Sequence, residues 1–398
     1  MNSGLKALVG LALAIIIAAG GFIGGFATAS VGPSASSVLG SGSDEDALTE
    51  HLTEVRALLS REALKPPSET SATAGAIQGL LESGGDAYAV YFDEKHFSYF
   101  NEEMSGEFGG IGVSLGEKGG TAYVVEVFKG TPAEKGGLKA GDIFAEIDDV
   151  RRDKWVTDEV VKRVRGKEGT SVRLTMVRPG SEDAMPEEYD VTLERDIITF
   201  PNTTSELKET VGYIRMAQFN ANATDEIATA VRDLEKQGAT SLVLDLRNNP
   251  GGALDQAVSI SSLFVESGVI VKVEERSGSE IEHRTTGSKV TDLPMVVLIN
   301  ENSASASEIV AGALQDYERA VLIGEKSFGK GSVQTIKQLS FGGAVKFTTA
   351  HYLTPKNRAI DGKGLTPDVV VEMDLEKQME ESTDTQLKRA LKEAAKLR

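Results

Sequence analysis

The stretch "PMVVLINENSASASEIVAGALQDYERAVLIG", Pro294–Gly324, encloses an amphipathic run between two apolar runs. The outer runs, "PMVVLIN" and "RAVLIG", are short and almost continuously apolar, as buried strands are. The middle run places four apolar residues at helical spacing: Ile309, Val310, Ala313 and Leu314. Strand, helix and strand in this order favour an α/β layer with a partly parallel sheet.

The same alternation occurs upstream of this stretch. "TSLVLDLR" predicts a strand and "NNPGG" a glycine turn. We expect the next helix to bury one face, formed by Leu254, Ala257, Val258, Phe264 and Val265. Ligands of α/β layers gather where strands end. Chemistry is therefore expected in three loops, "NNPGG" (248–252), "ENSASAS" (301–307) and "EKSFGKG" (325–331).

Composition excludes several classes of function. The chain has 398 residues and a net charge of −18, which argues against nucleic acid as the main partner. It contains no cysteine, so disulfides, thiolate nucleophiles and cysteine-ligated zinc are excluded. Its four histidines do not form an H-E-x-x-H pattern, and we expect no metal and no cofactor.

The N-terminal region predicts a membrane segment. No charged residue follows Lys6 until Asp44, and Ala7–Ala29 is apolar and long enough to span a bilayer. We expect residues 1–29 to be a single-pass signal anchor that places the rest of the chain outside the cytoplasm. The alternative is a cleaved signal at "ATA" (27–29) and a secreted or periplasmic protein.

The remaining chain divides by its patterns. Residues 30–44 read as a flexible tether and residues 45–105 as helical, with Leu48, Leu52, Val55, Leu58 and Leu59 at helical spacing. Residues 106–196 carry short β-like runs between glycine turns, with one helix. Residues 197–374 hold the α/β layer, and residues 375–398 are expected to form a C-terminal helix.

Ser305 lies between a predicted buried strand and an amphipathic helix. With Glu308 it forms S-x-x-E, a capping box, which is the plain interpretation. A serine at a strand–helix turn is also well presented to a substrate, and the two roles can coexist.

Lys330 allows three interpretations. Gly324, Gly329 and Lys330 match the spacing of a phosphate-binding loop, but Gly331 stands where that loop has Ser or Thr. A hairpin turning at Gly342–Gly343 also replaces the helix that such a loop needs. A solvated loop lysine is the second interpretation.

The third interpretation is a general base for a serine nucleophile, since no histidine lies in these loops. Lysine can act as a base if burial without a carboxylate partner lowers its pKa by up to about 3–5 units. Phe328 is expected to supply the apolar cover over Lys330.

The glycine turn could stabilise an oxyanion. Acyl transfer needs backbone N–H donors, and Gly251 or Gly252 could supply one while Ala306 supplies the other. The plain alternative is that both glycines only form a tight strand–helix turn.

Several motifs together resemble the carboxy-terminal processing peptidases, also called tail-specific proteases, from about Glu45 to the C-terminus. The motifs are "FGGIGV", "GTPAEKGGLKAGDIFAEID", "LDLRNNPGGALDQAV", "NSASASEIVAGALQDYERAVLIGEKSFGKGSVQ" and "TPKNRAIDGKGLTPDV". The resemblance implies a serine endopeptidase with Ser305 as nucleophile, Lys330 as base and Gln334 as the residue that holds the lysine. Where the family has a proline after an aspartate, "GDAYAVYF" (85–92) has alanine. This departure concerns the helical region, and we expect that it does not threaten the chemistry.

The resemblance also implies that residues 106–196 are a PDZ domain. Such domains bind the C-terminal tails of proteins, with the carboxylate on a glycine loop and the peptide added as a strand. The loop here is Gly109, Gly110, Ile111, Gly112 and Val113. Arg165, at the end of the predicted PDZ helix, is a candidate regulatory residue, and a solvated helix end is its plain alternative.

The partners expected from the sequence are protein substrates bound through their tails, the membrane and, in a possible homo-oligomer, a second copy of the chain. The rival hypothesis is a PDZ scaffold with an inactive protease domain.

Overall fold

The structure is a computed structural model that describes residues 44–180, 185–200, 202–373 and 384–397. The predicted membrane segment, 1–29, and the predicted tether up to residue 43 lie outside these ranges. Within the ranges, no helix combines the length and the apolar character needed to cross a bilayer. The chain forms two compact units, one containing residues 102–202 and the other residues 44–101, 203–372 and 386–397.

The elements are numbered along the chain. The N-terminal part holds α1 (Asp44–Glu62), α2 (Glu69–Ser83), β1 (Val90–Phe92) and α3 (Glu94–Ser105). The next part holds β2 (Glu107–Gly110), β3 (Val113–Lys118), β4 (Thr121–Val127), α4 (Pro132–Lys135), β5 (Ile143–Ile147), β6 (Val150–Arg151), α5 (Thr157–Val164), β7 (Ser171–Arg178), β8 (Glu187–Glu194) and β9 (Asp196–Thr199). The last part holds β10 (Thr203–Lys208), β11 (Val211–Met216), α6 (Ala223–Lys236), β12 (Ser241–Asp245), α7 (Leu254–Ser262), β13 (Val269–Glu275), β14 (Glu280–Arg284), β15 (Met295–Ile299), α8 (Ala306–Asp316), β16 (Ala320–Gly324), β17 (Ser332–Gln338), β18 (Ala344–Leu353), β19 (Val369–Val370) and α9 (Thr385–Ala394).

A six-stranded sheet in the order β10-β11-β12-β15-β16-β19 forms the centre of the larger unit. Every pair from β11 to β19 is parallel, and only β10 is antiparallel to its neighbour. Strands β12 and β15 are buried along their whole length, as parallel strands covered on both faces are. The predicted α/β layer with a partly parallel sheet is confirmed.

Helices cover both faces of this sheet. The apolar sides of α6, α7 and α8 form one core with Ile214, Leu242 and Val297. On the opposite face, Leu387 and Ala390 of α9 pack on other strand residues. The helix after the glycine turn is shorter than expected: α7 ends at Ser262, so the buried Phe264 and Val265 lie just beyond it.

A second sheet of the larger unit carries the predicted hairpin. β17 and β18 pair antiparallel, and the turn between them contains Gly342 and Gly343, as expected. β18 also pairs with β1, so residues near the N-terminal end of the described chain add a strand to this sheet. A register shift between Val333 and Gln334 bends β17 close to its start.

The smaller unit contains a sheet in the order β3-β4-β5-β7-β8, with β6 paired to β5. Its core includes Phe144, Trp155 and Val160, the last from helix α5. β3 lies at the edge of this sheet, so one of its sides has no neighbouring strand from the described residues. A separate two-stranded ribbon, β2–β9, joins the two ends of the unit.

Helix α1 forms as the periodicity predicts, but its apolar residues are not buried within the chain. The exposed fraction lies between 41% and 53% for all five: Leu48, Leu52, Val55, Leu58 and Leu59.

Candidate active site

Hydrogen bonds join the first two strand-end loops. The side chain of Asn300 accepts the Asn248 N–H at 2.9 Å and donates to the Asn248 side chain at 2.8 Å. The Ala304 N–H donates to the Asn249 carbonyl at 3.1 Å, and the Ser307 hydroxyl donates to the same oxygen at 2.9 Å. The glycine turn and the serine loop therefore form one rigid surface at the end of the parallel strands.

Gly251 lies directly against the serine loop. A Cβ on this residue would lie 2.8 Å from the Ala304 carbonyl oxygen, 2.9 Å from the Ser305 Cβ and 3.0 Å from the Ala306 nitrogen. Its φ of 106° is also unfavourable for residues that carry a side chain. Glycine is needed here both for the turn and for the close approach.

Ser305 adopts an unusual backbone conformation just before α8, with φ 55° and ψ −114°. It is fully buried, and its side chain lies within hydrogen-bonding reach of the Tyr352 hydroxyl. Residues held in sparsely populated backbone regions cost about 1–3 kcal/mol and cluster at active sites. The strained backbone and the position at a strand–helix turn are features of a nucleophile, but the expected presentation to a substrate is not seen, because the side chain is buried.

The carboxylate of Glu308 connects the serine loop to the lysine loop. Its Oε2 accepts the Ser305 N–H at 2.9 Å and the Lys330 N–H at 2.8 Å. Its Oε1 accepts the Ser327 hydroxyl at 2.5 Å and the Gly329 N–H at 2.7 Å. Because one oxygen binds both amides, the backbone nitrogens of Ser305 and Lys330 are less than 6 Å apart.

The expected helix cap is therefore one part of the hydrogen-bond network around the Glu308 carboxylate. Glu308 does reach back to the Ser305 N–H, as a capping box requires. Burial raises the pKa of Glu308, while its hydrogen bonds to the two loops act in the opposite direction.

Lys330 is buried, with 1% of its surface exposed. Its Nζ has no hydrogen-bond partner among the described residues, and the ring centroid of Tyr88 lies 4.1 Å from it. Phe328, the expected cover, is 39% exposed. Burial, with a smaller contribution from the positive charge of Lys346, lowers the pKa of Lys330 to about 8.

Two acidic groups oppose this shift. Asp86 and Glu308 lie close enough to favour the ammonium form of Lys330, but neither forms an ion pair with it. Asp86 is held by the main chain and hydroxyl of Thr348, at 2.6 Å and 3.0 Å.

Gln334 lies at the start of β17 and is fully buried. Its Nε2 donates to the hydroxyl of Thr348 at 2.6 Å, and its Oε1 has no partner among the described residues. A buried acceptor on Gln334 and a buried donor on Lys330 are thus both unsatisfied in this arrangement. The structure does not join them by a hydrogen bond.

The candidate oxyanion donors differ in their availability. The Gly251 N–H donates to the side chain of Asn249 at 2.9 Å. In the described part of the chain, no acceptor is found for the N–H groups of Gly252 and Ala306.

In the smaller unit, the predicted loop Gly109–Val113 comprises the end of β2, a two-residue connection and the first residue of the edge strand β3. The Ile111 carbonyl accepts an N–H group of α4 at 2.8 Å, and the Gly112 carbonyl accepts an N–H group from the segment before α4 at 3.0 Å. The amides of the same two residues have no partner within the described ranges. Gly112 has φ 83°, and a Cβ there would lie 2.3 Å from the Thr131 side chain.

Arg165 follows α5 in the same unit. Its guanidinium donates to the Glu102 carboxylate at 2.9 Å and lies over the ring of Phe108, 4.7 Å from the centroid. It is held by neighbours rather than being a fully solvated helix end.

Comparison with known proteins agrees with these motifs. The profile of Peptidase family S41 matches residues 210–371, and the profile of the PDZ domain matches residues 100–177. The carboxy-terminal-processing protease of Bartonella bacilliformis is 39% identical over 315 residues, which are 78% of this chain and 71% of that protein. The chain belongs to the family of carboxy-terminal processing proteases.

Two further relatives extend the comparison. A probable CtpA-like serine protease of Staphylococcus epidermidis is 38% identical over 316 residues, or 79% of this chain. The chain spans 63% of the length of that relative. Among solved structures, a photosystem II D1 C-terminal processing protease superposes with a TM-score of 0.50 and 27% identity, covering 86% of this chain and 96% of that one.

The segment Gly85–Phe92 of this chain contributes two side chains to the candidate site. It supplies Tyr88, whose ring lies over Lys330, and Asp86, which binds Thr348. Their contact with residues more than 240 positions away left no trace in the local pattern.

Proposed function

We propose that this chain is a serine endopeptidase in which Ser305 is the nucleophile and Lys330 the general base. The observation that carries the proposal is the pair of loops held by Glu308, which brings a strained serine and a buried, unpaired lysine together. The lowered pKa of Lys330 supports this role, because a base must be neutral to accept a proton.

In the proposed reaction, neutral Lys330 accepts the proton of the Ser305 hydroxyl as the serine oxygen attacks the scissile carbonyl. The resulting Lys330 ammonium gives this proton to the leaving amine, and an acyl-enzyme remains. Water then attacks the ester while Lys330 takes its proton, and Lys330 returns this proton to the Ser305 oxygen as the acyl group leaves as a carboxylic acid.

The oxyanion would be bound by the Ala306 N–H and by one glycine amide. Gly252 is the donor that the hydrogen bonding favours, since the Gly251 amide is already used by Asn249. The Lys330 Nζ is not hydrogen-bonded here, so it must approach Ser305 when substrate binds. Catalytic hydrogen bonds often form only in the substrate complex. The free Oε1 of Gln334 offers Lys330 an acceptor in that arrangement.

Recognition of the substrate tail is assigned to the PDZ domain. The unpaired amides of Ile111 and Gly112 can hold a terminal carboxylate, and the open side of β3 can pair with an extended peptide. We therefore propose that the enzyme cleaves exported proteins near their C-termini after binding an apolar tail. Arg165 is proposed to couple tail binding to activity.

The test is cleavage of a tail-bearing peptide by the wild type and by Ser305→Ala and Lys330→Ala. Both variants should lose cleavage while remaining folded. His351→Ala is the matched control, because His351 is an exposed residue of β18 and should be dispensable. Substantial activity in Lys330→Ala would exclude the dyad. Tail binding without any cleavage by the wild type would instead favour a PDZ scaffold with an inactive protease domain.

Two broader expectations remain proposals. The single-pass membrane anchor, with secretion after signal cleavage as its alternative, concerns residues outside the described ranges. The exposed apolar stripe of α1 is consistent with a homo-oligomer.

A further inference from the structure

Three side chains form a continuous run of hydrogen bonds that ends at Gln334. The Gln334 Nε2 donates to the Thr348 hydroxyl at 2.6 Å, and this hydroxyl donates to Oδ1 of Asp86 at 3.0 Å. Gln334 lies directly opposite Thr348 in the pairing of β17 with β18. Asp86 comes from the segment before β1, and β1 pairs with the other side of β18. The pairing of three strands therefore holds this run in place.

Asp86 decides the direction in which these hydrogen bonds run. An ionised carboxylate only accepts hydrogen bonds, and Asp86 also accepts the Thr348 N–H at 2.6 Å. Burial acts to raise the pKa of Asp86, but the hydrogen bonds from Thr348 and Tyr88 outweigh it, and the pKa is lowered. Because the Thr348 hydroxyl donates its proton to Asp86, its oxygen must accept from Gln334. The amide nitrogen of Gln334 must then face Thr348.

The other bonds of the Gln334 amide agree with this orientation. Its Nε2 also donates to the Ser332 hydroxyl at 3.2 Å, so the described partners of this nitrogen are two hydroxyl groups of the hairpin. Its Oε1 is buried with no partner among the described residues, and the same holds for the Nζ of Lys330. A reversed amide would place a buried donor where this free acceptor now lies.

Asp86 also holds the aromatic neighbour of Lys330. Its Oδ1 accepts the Tyr88 N–H at 2.9 Å, and the ring centroid of Tyr88 lies 4.1 Å from the Lys330 Nζ. A neutral lysine amine has two N–H donors and one lone pair, and only the lone pair can accept a proton. An acceptor that binds one N–H therefore restricts where the lone pair points.

We propose, on the basis of the function proposed above, that Asp86 and Thr348 are positioning residues that fix the orientation of the Gln334 amide. In this orientation the Gln334 Oε1 accepts an N–H of Lys330 when substrate binds, and the Lys330 lone pair stays available for the Ser305 proton. Asp86 and Thr348 touch neither the substrate nor the reacting atoms, and they act through Gln334.

The test is the cleavage of a short peptide without a recognisable tail at about pH 9, where Lys330 is mostly neutral because its pKa is about 8. Thr348→Val removes the hydroxyl and keeps the shape of the side chain. We expect kcat to fall about 10–100-fold, a part of the roughly 10²–10⁴-fold that a positioned general base contributes. KM should stay within about twofold of the wild type, because the contacts with the substrate are unchanged.

Two matched variants separate orientation from packing. Thr348→Ser keeps the hydroxyl and should keep kcat within about threefold of the wild type. Thr349→Val removes the neighbouring hydroxyl, which pairs with the Thr335 hydroxyl at 2.7 Å, and should leave kcat unchanged. Adjacent residues of a strand point to opposite faces, so Thr349 lies on the other face of β18. Should Thr348→Val fail to fold by circular dichroism, Thr348→Ala removes the same hydroxyl.

A second measurement examines Asp86. Asp86→Asn can donate as well as accept, so it no longer fixes the direction of the Thr348 proton, and kcat should fall at least as far as in Thr348→Val. In the double variant with Thr348→Val, kcat should stay within about twofold of Asp86→Asn alone, because both changes act through one amide.

The proposal is overturned if a folded Thr348→Val keeps the wild-type kcat, or if Thr348→Ser is as slow as Thr348→Val. It is also overturned if Thr349→Val is as slow as Thr348→Val, or if the two losses multiply in the double variant. Failure of the proposed function is distinct, since it would appear as an inactive wild type or as an active Lys330→Ala.

Discussion

Replacing Lys330 with methionine should make the folded protein more stable near neutral pH while removing activity. Lys330 is almost fully buried, and its Nζ has no hydrogen-bond partner among the described residues. At pH 7 its side chain is mostly protonated in both the folded and the unfolded state. The folded state then carries a buried ammonium that water no longer solvates.

The size of the effect follows from the pKa of Lys330, which is lowered from 10.5 to about 8 in the fold. Each pKa unit corresponds to about 1.4 kcal/mol, so the charged lysine costs the folded state about 3 kcal/mol below pH 8. Between about pH 8 and 10.5 the unfolded state binds a proton that the folded state does not. The stability of the wild type therefore rises with pH through this window, and the cost disappears above it.

Urea unfolding of the wild type and Lys330→Met, followed by circular dichroism, measures this difference. We expect Lys330→Met to raise the free energy of unfolding by about 3 kcal/mol at pH 7 and by much less at pH 10.5. Lys337→Met, at an exposed position of β17, should change it by less than about 0.5 kcal/mol at either pH.

A gain in Lys330→Met that does not depend on pH would show that packing, rather than charge burial, is responsible. No gain at pH 7 would show that Lys330 keeps an ordinary pKa in the fold. Either result would remove the physical basis for a lysine base in this site.

Three other predictions concern the loops and the PDZ domain. Glu308→Gln replaces an acceptor of four hydrogen bonds with a group that must donate at one end. We therefore expect kcat/KM to fall more than about 100-fold and the free energy of unfolding to fall by about 2–3 kcal/mol. The control Glu318→Gln, at an exposed position, should change neither quantity. Gly251→Ala should abolish cleavage, since its Cβ would meet the nucleophile loop, whereas Gly287→Ala, also at positive φ but in open space, should only reduce stability slightly. Arg165→Ala should reduce turnover of a tail-bearing substrate but not of a short one. If the variant turns over both substrates as fast as the wild type does, Arg165 has only a structural role in its ion pair with Glu102.

The parallel sheet was predictable because its strands are buried on both faces. A continuous apolar run such as Met295–Ile299 predicts a buried parallel strand when an amphipathic helix follows it. The strand-end loops were predictable for the same reason, since the ends of parallel strands meet at one edge. Ser305 and Lys330 could therefore be placed near each other from the sequence, and the shared Glu308 oxygen accounts for how close they are.

Other parts of the site depend on contacts that leave no local pattern. Tyr88 and Asp86 come from a segment that pairs with β18 only after the chain has folded. Lys346 occurs in "AVKFTTAHYL", where alternation by itself would allow a lysine on a solvated face. Periodicity also predicted helix α1 but not that its apolar residues stay exposed, because a period gives no information about what covers a face.

In the ribbon β2–β9, the strands at the two ends of the smaller unit pair with each other. Glu107 pairs with Thr199, and the Phe200 N–H donates to the Gly106 carbonyl at 2.9 Å, so the incoming and outgoing chains run side by side. Paired residues of antiparallel strands have Cα atoms about 5 Å apart, a gap that one or two residues can bridge. The PDZ domain could therefore be removed at a short turn, or exchanged for another module, with no other cut in the chain.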